Sequence, residues 1–231
     1  MSIDAARLRV TIPFFREIAP DVLDNIIPFM YEKTYKKGSI IFFEGDEGDE
    51  IYFIRSGAVN IYSFDGVKKV ILAFLQEGDY FGEMALIKPG LYRSATAETT
   101  QMTKLYTLRK GDFEKLIMEN PRLAIHLLDY TMERLRRANQ QIYDLTFLNV
   151  RTRIIKRLIQ LGDEYGTMTQ HGLQIGLKVT HQQMAEMVGA VRETVTKVLI
   201  ELQEAGLISI KSKMILIPNP ELLERKLRED S

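Results

Sequence analysis

The sequence predicts an α+β chain in three successive regions. An N-terminal β-roll of the jelly-roll type fills 1–120, a long helix follows over 121–149, and helices closed by a β-hairpin fill 150–231. Three observations predict it. Between Gly38 and about Arg109, short β-branched and aromatic runs alternate with turns bearing glycine and aspartate. From residue 112 the apolar residues recur at a helical period instead. Beyond Gly176, two short amphipathic patterns precede two β-prone pieces around a basic turn.

Residues 8–35 read as short helices around Pro13, Pro20 and Pro28. The strand candidates are Ile40 to Phe43, Ile51 to Ile54, Ala58 to Tyr62 and Val70 to Leu75. Gly45-Asp46, Gly48-Asp49, Ser56-Gly57, Asp65-Gly66 and Gly78-Asp79 punctuate them, and Asp65-Gly66 between two apolar runs is a strong hairpin signal. Many short strands at this spacing suggest a jelly roll. An antiparallel sandwich that holds no ligand fits the same pattern.

In the helical region 112–149, Leu128, Leu135 and Ile142 recur every seven residues, with Thr131, Ala138 and Leu145 three positions after each. Such a seam suits a parallel coiled-coil homodimer, and a helix packed on its own barrel would look similar. Arg134, Arg136, Arg137, Gln140 and Gln141 around it favour a partly solvated helix. The last region opens with a helix, Val150 to Gly162, and a polar loop, Asp163 to Gly176. After two more helices, Leu207-Ile208-Ser209-Ile210 and Met214-Ile215-Leu216-Ile217 flank Lys211-Ser212-Lys213 as the wing of a winged helix.

Composition narrows the function. The chain has 231 residues, enough to bury cores without covalent staples, and no cysteine, so disulfides, Cys-ligated zinc and cysteine-held iron–sulfur clusters are excluded. The Met1-Ser2-Ile3-Asp4 start lacks a basic segment followed by an apolar one, and no apolar run approaches about eighteen residues. A soluble cytoplasmic protein with no membrane partner is expected. Lys+Arg and Asp+Glu both total 31, and over 150–231 they number 12 against 10, so charge alone argues weakly for nucleic acid. Arg151, Arg153, Lys156 and Arg157 form the one clear basic cluster. No nucleophile–base constellation, metal cluster or phosphate loop supports an enzyme.

The run Phe81-Gly82-Glu83-Met84-Ala85-Leu86-Ile87-Lys88-Pro89-Gly90-Leu91-Tyr92-Arg93-Ser94 has the chemistry of an anion cassette. Gly82 lets the backbone approach a phosphate, and Glu83 opens a short helix whose amides favour anions. Arg93 can fork two hydrogen bonds to phosphate oxygens, and Ser94 adds a hydroxyl and an amide. Glu83 beside a phosphate makes sense as acceptor from a ribose hydroxyl. The joint pattern, with its Pro-Gly turn and Arg-Ser-Ala-Thr ending, resembles the cAMP receptor protein (Crp/Fnr) superfamily over nearly the whole chain, including the Thr146-Phe147-Leu148-Asn149-Val150 hinge. The resemblance implies a cyclic-nucleotide-binding β-roll in which Gly82, Glu83, Met84, Arg93 and Ser94 hold the ribose and cyclic phosphate. It implies a cyclic nucleotide, cAMP first, as effector; no covalent cofactor, metal, haem or iron–sulfur cluster is expected. Counting back from the hinge, the base-contacting Thr-Ser pair of cAMP-responsive members falls on Ala138 and Asn139. Ala138 offers no hydrogen bond, whereas Asn139 offers both donor and acceptor.

Thr180-His181-Gln182-Gln183 has a capping-box form, and Met184, Ala185, Met187 and Val188 supply an apolar face up to a turn at Gly189. In the next helix, Val191 to Leu199, Val195, Val198, Leu199 and Leu202 face inward and Arg192, Glu193, Thr196 and Lys197 outward. Arg192 suits guanine and Glu193 suits cytosine N4, although an Arg192–Glu193 surface pair would read alike. The Gly-x-x-Arg-Glu-Thr-Val-x-(basic)-x-Leu run is similar to the same superfamily's signature and puts Arg192, Glu193 and Lys197 on its base-contacting positions. Thr180, His181, Gln182 and Thr194 are expected to contact the DNA backbone.

These expectations describe a homodimeric transcriptional regulator on a palindromic operator in double-stranded DNA, with recognition helices about 34 Å apart. RNA polymerase is a further partner to consider. The same scaffold could bind DNA constitutively or answer a different small effector. Haem would need His126, His171 or His181, none of them in the β-rich region. A cyclic-nucleotide module controlling an enzyme or channel leaves Thr180 to Leu199 without a purpose.

Overall fold

Local signals start the first helices. Asp4 accepts the backbone N–H of Arg7 at 2.9 Å and begins α1 (Ala5–Thr11), and Pro20 begins α2 (Pro20–Ile26). The computed structural model describes residues 3–87 and 90–230. The Met1-Ser2 start and Pro89 of the expected Pro-Gly turn lie outside the described residues. The chain divides into two compact units, 1–136 and 137–231.

In the first unit α1 and α2 are followed by β1 (Tyr31–Tyr35), β2 (Ile40–Phe42), β3 (Glu50–Ser56), β4 (Ala58–Phe64), β5 (Lys69–Gln76), β6 (Tyr80–Phe81), β7 (Thr96–Thr99) and β8 (Thr103–Arg109). Two four-stranded antiparallel sheets result, in the orders β1-β8-β3-β6 and β2-β7-β4-β5. Strand β1 corrects the expectation of helix through residue 35. Its Tyr and Thr residues are β-formers, and β8 supplies the ladder in the register Lys33↔Leu105, a partner remote in sequence. The Asp65-Gly66 signal does join β4 to β5. Asp65 Oδ1 accepts from the amides of Val67 and Lys68 at 2.9 and 2.8 Å, and Gly66 takes φ +95°. Leu8, Ile12, Phe14, Phe15 and Leu23 from the N-terminal segment pack on Phe53, Leu108, Phe113 and Leu116. Each such side chain stabilises by about 1.5–3 kcal/mol on burial.

The helical stretch expected over 112–149 is two helices, α3 (Lys110–Glu119) and α4 (Pro121–Phe147), because a residue before proline avoids the helical region and Asn120 sits at φ −133°, ψ 77°. Leu123 of α4 is buried and Leu127 and Tyr130 pack on the core of the first unit. On the seam, Leu128, Leu135 and Ile142 are 56, 57 and 62 % exposed in the single chain. Within the first unit, Leu128 and Leu135 are therefore not packed on the barrel.

In the second unit Asn149 caps α5 (Val150–Tyr165) by accepting from the Thr152 amide at 2.9 Å. The expected loop after Gly162 is instead a last helical turn and a hairpin, β9 (Gly166–Thr169) and β10 (Gly172–Ile175). Then come α6 (His181–Val188), α7 (Arg192–Glu204), β11 (Ser209–Lys211), β12 (Met214–Ile217) and α8 (Pro220–Asp230). The sheet order is β11-β12-β10-β9, so the wing pairs with the segment read as loop. Ser212 and Lys213 take φ +51° and +67°, the left-handed pair of a tight hairpin turn. Leu207 and Ile208, expected in the wing strand, precede it and are buried with Ile154, Leu158, Leu199 and Leu202. Among the described residues, no helix is long and apolar enough to cross a membrane.

Candidate functional site

The cassette is built around one left-handed glycine. Strand β6 ends at Gly82, φ +88°, which turns the chain into a single 3-10 turn, Glu83–Ala85. A Cβ there would lie 2.7 Å from Arg93 Nη1, so the position excludes side chains on both strain and space. Arg93 is only 5 % exposed. Its Nη1 donates to Gly82 O at 2.8 Å and its Nη2 to Glu50 O at 3.0 Å. The guanidinium lies 4.3 Å above the Phe42 ring and 5.6 Å from that of Tyr52. Below it, Glu50 binds Lys33 Nζ at 2.7 Å and accepts from Tyr52 Oη at 2.9 Å. Burial works against the Glu50 carboxylate, but Lys33 and Tyr52 outweigh it and hold its pKa below the ordinary value.

Glu83 is 4 % exposed, and burial pushes its pKa up against the opposing charge of Arg134. Arg134 Nη1 donates to Glu83 Oε1 at 2.8 Å. Glu83 Oε2 and Arg93 Nε are buried without a hydrogen-bond partner among the described residues. Such orphaned atoms are costly and call for an explanation. Both belong to residues lining one small concavity of about 30 Å3, with Gly82, Met84, Ser94 and Arg134. Met84 and Ser94 are exposed at its rim, the Ser94 hydroxyl 3.5 Å from Met84 Sδ. The other two expected ligand residues, Ala138 and Asn139, are exposed on α4 in the second unit.

Arg134, Glu50, Phe42 and Gly48 were not singled out as site residues from the sequence. One signal pointed to Arg134: it continues the inward stripe Leu123, Leu127, Tyr130 of α4, which flanks the seam, and a charge on a buried stripe needs a partner. Gly48 gave none. Its missing side chain matters because a Cβ would stand 2.6 Å from Arg93 Cζ.

In the second unit, Thr180 Oγ1 accepts from the Gln183 amide at 3.1 Å while Gln183 Oε1 accepts from the Thr180 amide at 2.9 Å. The Thr180 hydroxyl is thus engaged in a full capping box at the start of α6. Gly189 ends α6 at φ +62°. Val195, Val198, Leu199 and Leu202 bury one face of α7, and Arg192, Glu193, Thr194 and Lys197 are exposed on the other. Arg192 and Glu193 form no ion pair with each other among the described residues. Gln182 is exposed and donates to Glu186 at 3.0 Å. Thr196, expected to point outward, is half-buried with its hydroxyl 2.9 Å from His181 Nδ1.

The basic cluster of α5 is not a free electropositive face. Lys156 pairs with Asp144 at 2.7 Å and Arg151 with Glu201 at 3.4 Å. Arg153 donates to Leu148 O at 3.0 Å and Arg157 to Gln160 at 3.3 Å. Burial lowers the pKa of both Arg153 and Arg157.

Residues 32–120 match the family model described as cyclic nucleotide-binding domain, and residues 152–226 that described as Crp-like helix-turn-helix domain. The chain is 31 % identical over 216 residues to a CRP-like cAMP-activated global transcriptional regulator of Mycobacterium tuberculosis, covering 93 % of this chain and 96 % of that one. It is 32 % identical over 213 residues to the cyclic AMP receptor protein of Thermus thermophilus, covering 92 % and 95 %. A solved CRP/FNR-family transcriptional regulator of Thermus thermophilus superposes with a TM-score of 0.73 at 26 % identity, covering 87 % and 100 %.

Proposed function

The chain belongs to the Crp/Fnr superfamily of DNA-binding transcriptional regulators, which are not enzymes, and from that premise we propose a homodimer that reads a palindromic operator under the control of cAMP. The observation that carries the effector reading is that Glu83 and Arg93 are both buried beside one concavity, each with an orphaned atom. A cyclic phosphodiester carries one negative charge, and burying it requires a fixed cation and donors. Arg93 supplies the cation, with Gly82 and Ser94 at the same opening. Glu83 Oε2 is an acceptor in want of a donor, which a ribose hydroxyl provides. The concavity of about 30 Å3 is far below the roughly 300–1,000 Å3 of ligand pockets. A nucleotide therefore enters only as the cassette opens.

Opening supports a switch. Arg134 of α4 holds Glu83, so a ligand competing for that carboxylate acts on the helix that carries the seam. Differential affinity for two arrangements of α4 is all that such control requires. The exposed Leu128, Leu135 and Ile142 seam supports the second copy. On DNA, Arg192, Glu193 and Lys197 contact base edges, while Thr180, His181, Gln182 and Thr194 position the backbone.

A different effector, or constitutive DNA binding, is the second reading, favoured by Ala138, which offers the base no hydrogen bond. Isothermal titration with cAMP, with cGMP and 5′-AMP as controls, decides between them. Saturable cAMP binding that is lost in Arg93→Ala is expected. A chain that binds DNA but neither cyclic nucleotide would overturn cAMP control.

A further inference from the structure

Helical threonines usually spend their hydroxyl proton on the carbonyl four residues back. Two in this chain do so: Thr131 Oγ1 donates to Leu127 O at 2.7 Å and Thr146 Oγ1 to Ile142 O at 2.8 Å. Thr196 in α7 differs. Among the described residues its hydroxyl has one partner, the Nδ1 of His181 on α6, at 2.9 Å. A neutral imidazole carries its proton on one nitrogen, and the hydrogen bond made by either nitrogen selects the tautomer. A threonine proton not given to the backbone is available to Nδ1, which then accepts and leaves the proton on Nε2. His181 Nε2 has no partner among the described residues, and His181 is half-buried at the first position of α6, directly after the capping box.

We infer that Thr196 is a positioning residue, which donates to His181 Nδ1 and so makes the imidazole a neutral Nε2–H donor toward a DNA phosphate. This deepens the proposed DNA reading and rests on it. It gives Thr196, read from the sequence as outward-facing beside Lys197 on the recognition helix, a role other than touching bases. The contact it supports carries no sequence information, and His181 rather than Thr196 touches the DNA.

The test has a structural and a functional arm. Long-range nitrogen–proton correlation spectra of the full chain without DNA, at pH 8, report the His181 tautomer directly. The Nε2–H form is expected in the wild type and in Thr196→Ser, and a mixed population in Thr196→Val. Binding is then measured to two duplexes, one selected by the wild type from a random pool and one of mixed sequence. Thr196→Val is expected to weaken both alike, by roughly threefold, with Thr196→Ser restored to wild type. In a His181→Ala background the same Thr196→Val change should have no further effect. A wild-type Nδ1–H tautomer, a loss confined to the selected duplex, or full additivity with His181→Ala overturns the proposal. A wild type that selects no duplex from the pool, with or without cAMP, would overturn the DNA reading itself, and with it the purpose of the donor, while the spectra would still decide the tautomer.

Discussion

The effector cassette and the DNA reader answer to opposite demands. At the cassette, ionisable groups are buried and left short of partners: Glu83 and Arg93 are 4 and 5 % exposed, and each keeps an orphaned polar atom. At the reader, the apolar face of α7 is fully packed, while Arg192, Glu193 and Lys197 stand in solvent. A site that must bind a small anion tightly holds its charges out of water in advance, at a cost to the free protein. A site that meets the highly charged DNA surface needs a rigid helix and exposed side chains, and its folding is nearly independent of them. Mutations should therefore couple binding to stability in the first region and separate the two in the second.

The largest expected effect is that of Arg93→Ala. Loss of a buried hydrogen-bonded guanidinium costs about 2–5 kcal/mol of affinity, so calorimetry should show no usable cAMP binding, while ligand-independent association with DNA persists. Next is Gly48→Ala, a change outside the fourteen-residue cassette run. The added methyl, 2.6 Å from Arg93 Cζ and 2.7 Å from the Ala85 Cβ, overpacks the guanidinium's seat at a cost of about 1–3 kcal/mol. Titration should show weakened cAMP affinity together with a lower urea midpoint. If affinity falls without loss of stability, the coupling drawn above is broken.

Arg192→Ala sharpens the contrast from the other side. It should cost about 1–3 kcal/mol on a selected operator and relax preference at one base pair, with an unchanged thermal midpoint. The smallest effect is a pH dependence. Because burial raises the Glu83 pKa above its ordinary 4.5, the native state holds that proton more tightly than the unfolded chain. The associated stability is complete below about pH 4.5 and is lost as pH rises through the raised value. Glu83→Gln never ionises and escapes that loss. Its urea midpoint relative to wild type should rise between pH 4.5 and 7 in the absence of effector, and a flat difference would show that Arg134 fully compensates the carboxylate.

Legibility followed the distance between partners. Gly82-Glu83 and Arg93-Ser94 could be read because a left-handed glycine, a helix start and a forked cation are properties of adjacent residues. The capping box at Thr180 and Gln183 was equally local. Arg134 was legible only as a charge on the inward stripe of α4, and its partner Glu83, 51 residues away, was not. Strand β1 was taken for helix because three prolines precede it and its ladder partner is β8. The segment after Gly162 looked like a loop because glycine and polar residues dominate it, yet pairing with β12 makes it sheet. The cluster on α5 read as a basic face because each residue was counted without Asp144 and Glu201, which pair with Lys156 and Arg151, or the Leu148 carbonyl, which accepts from Arg153.

By itself, then, the sequence determined the order of the regions, the positions of the turns, the apolar stripe of α7 and the chemistry of the cassette. All of these depend on spacing within a few residues, where backbone geometry leaves little choice. Only the tertiary structure decided which charges are spent and which remain available. Burial and pairing are set by residues brought together from distant parts of the chain, and the same arginine is a ligand clamp, a cap or a surface charge according to what folds against it.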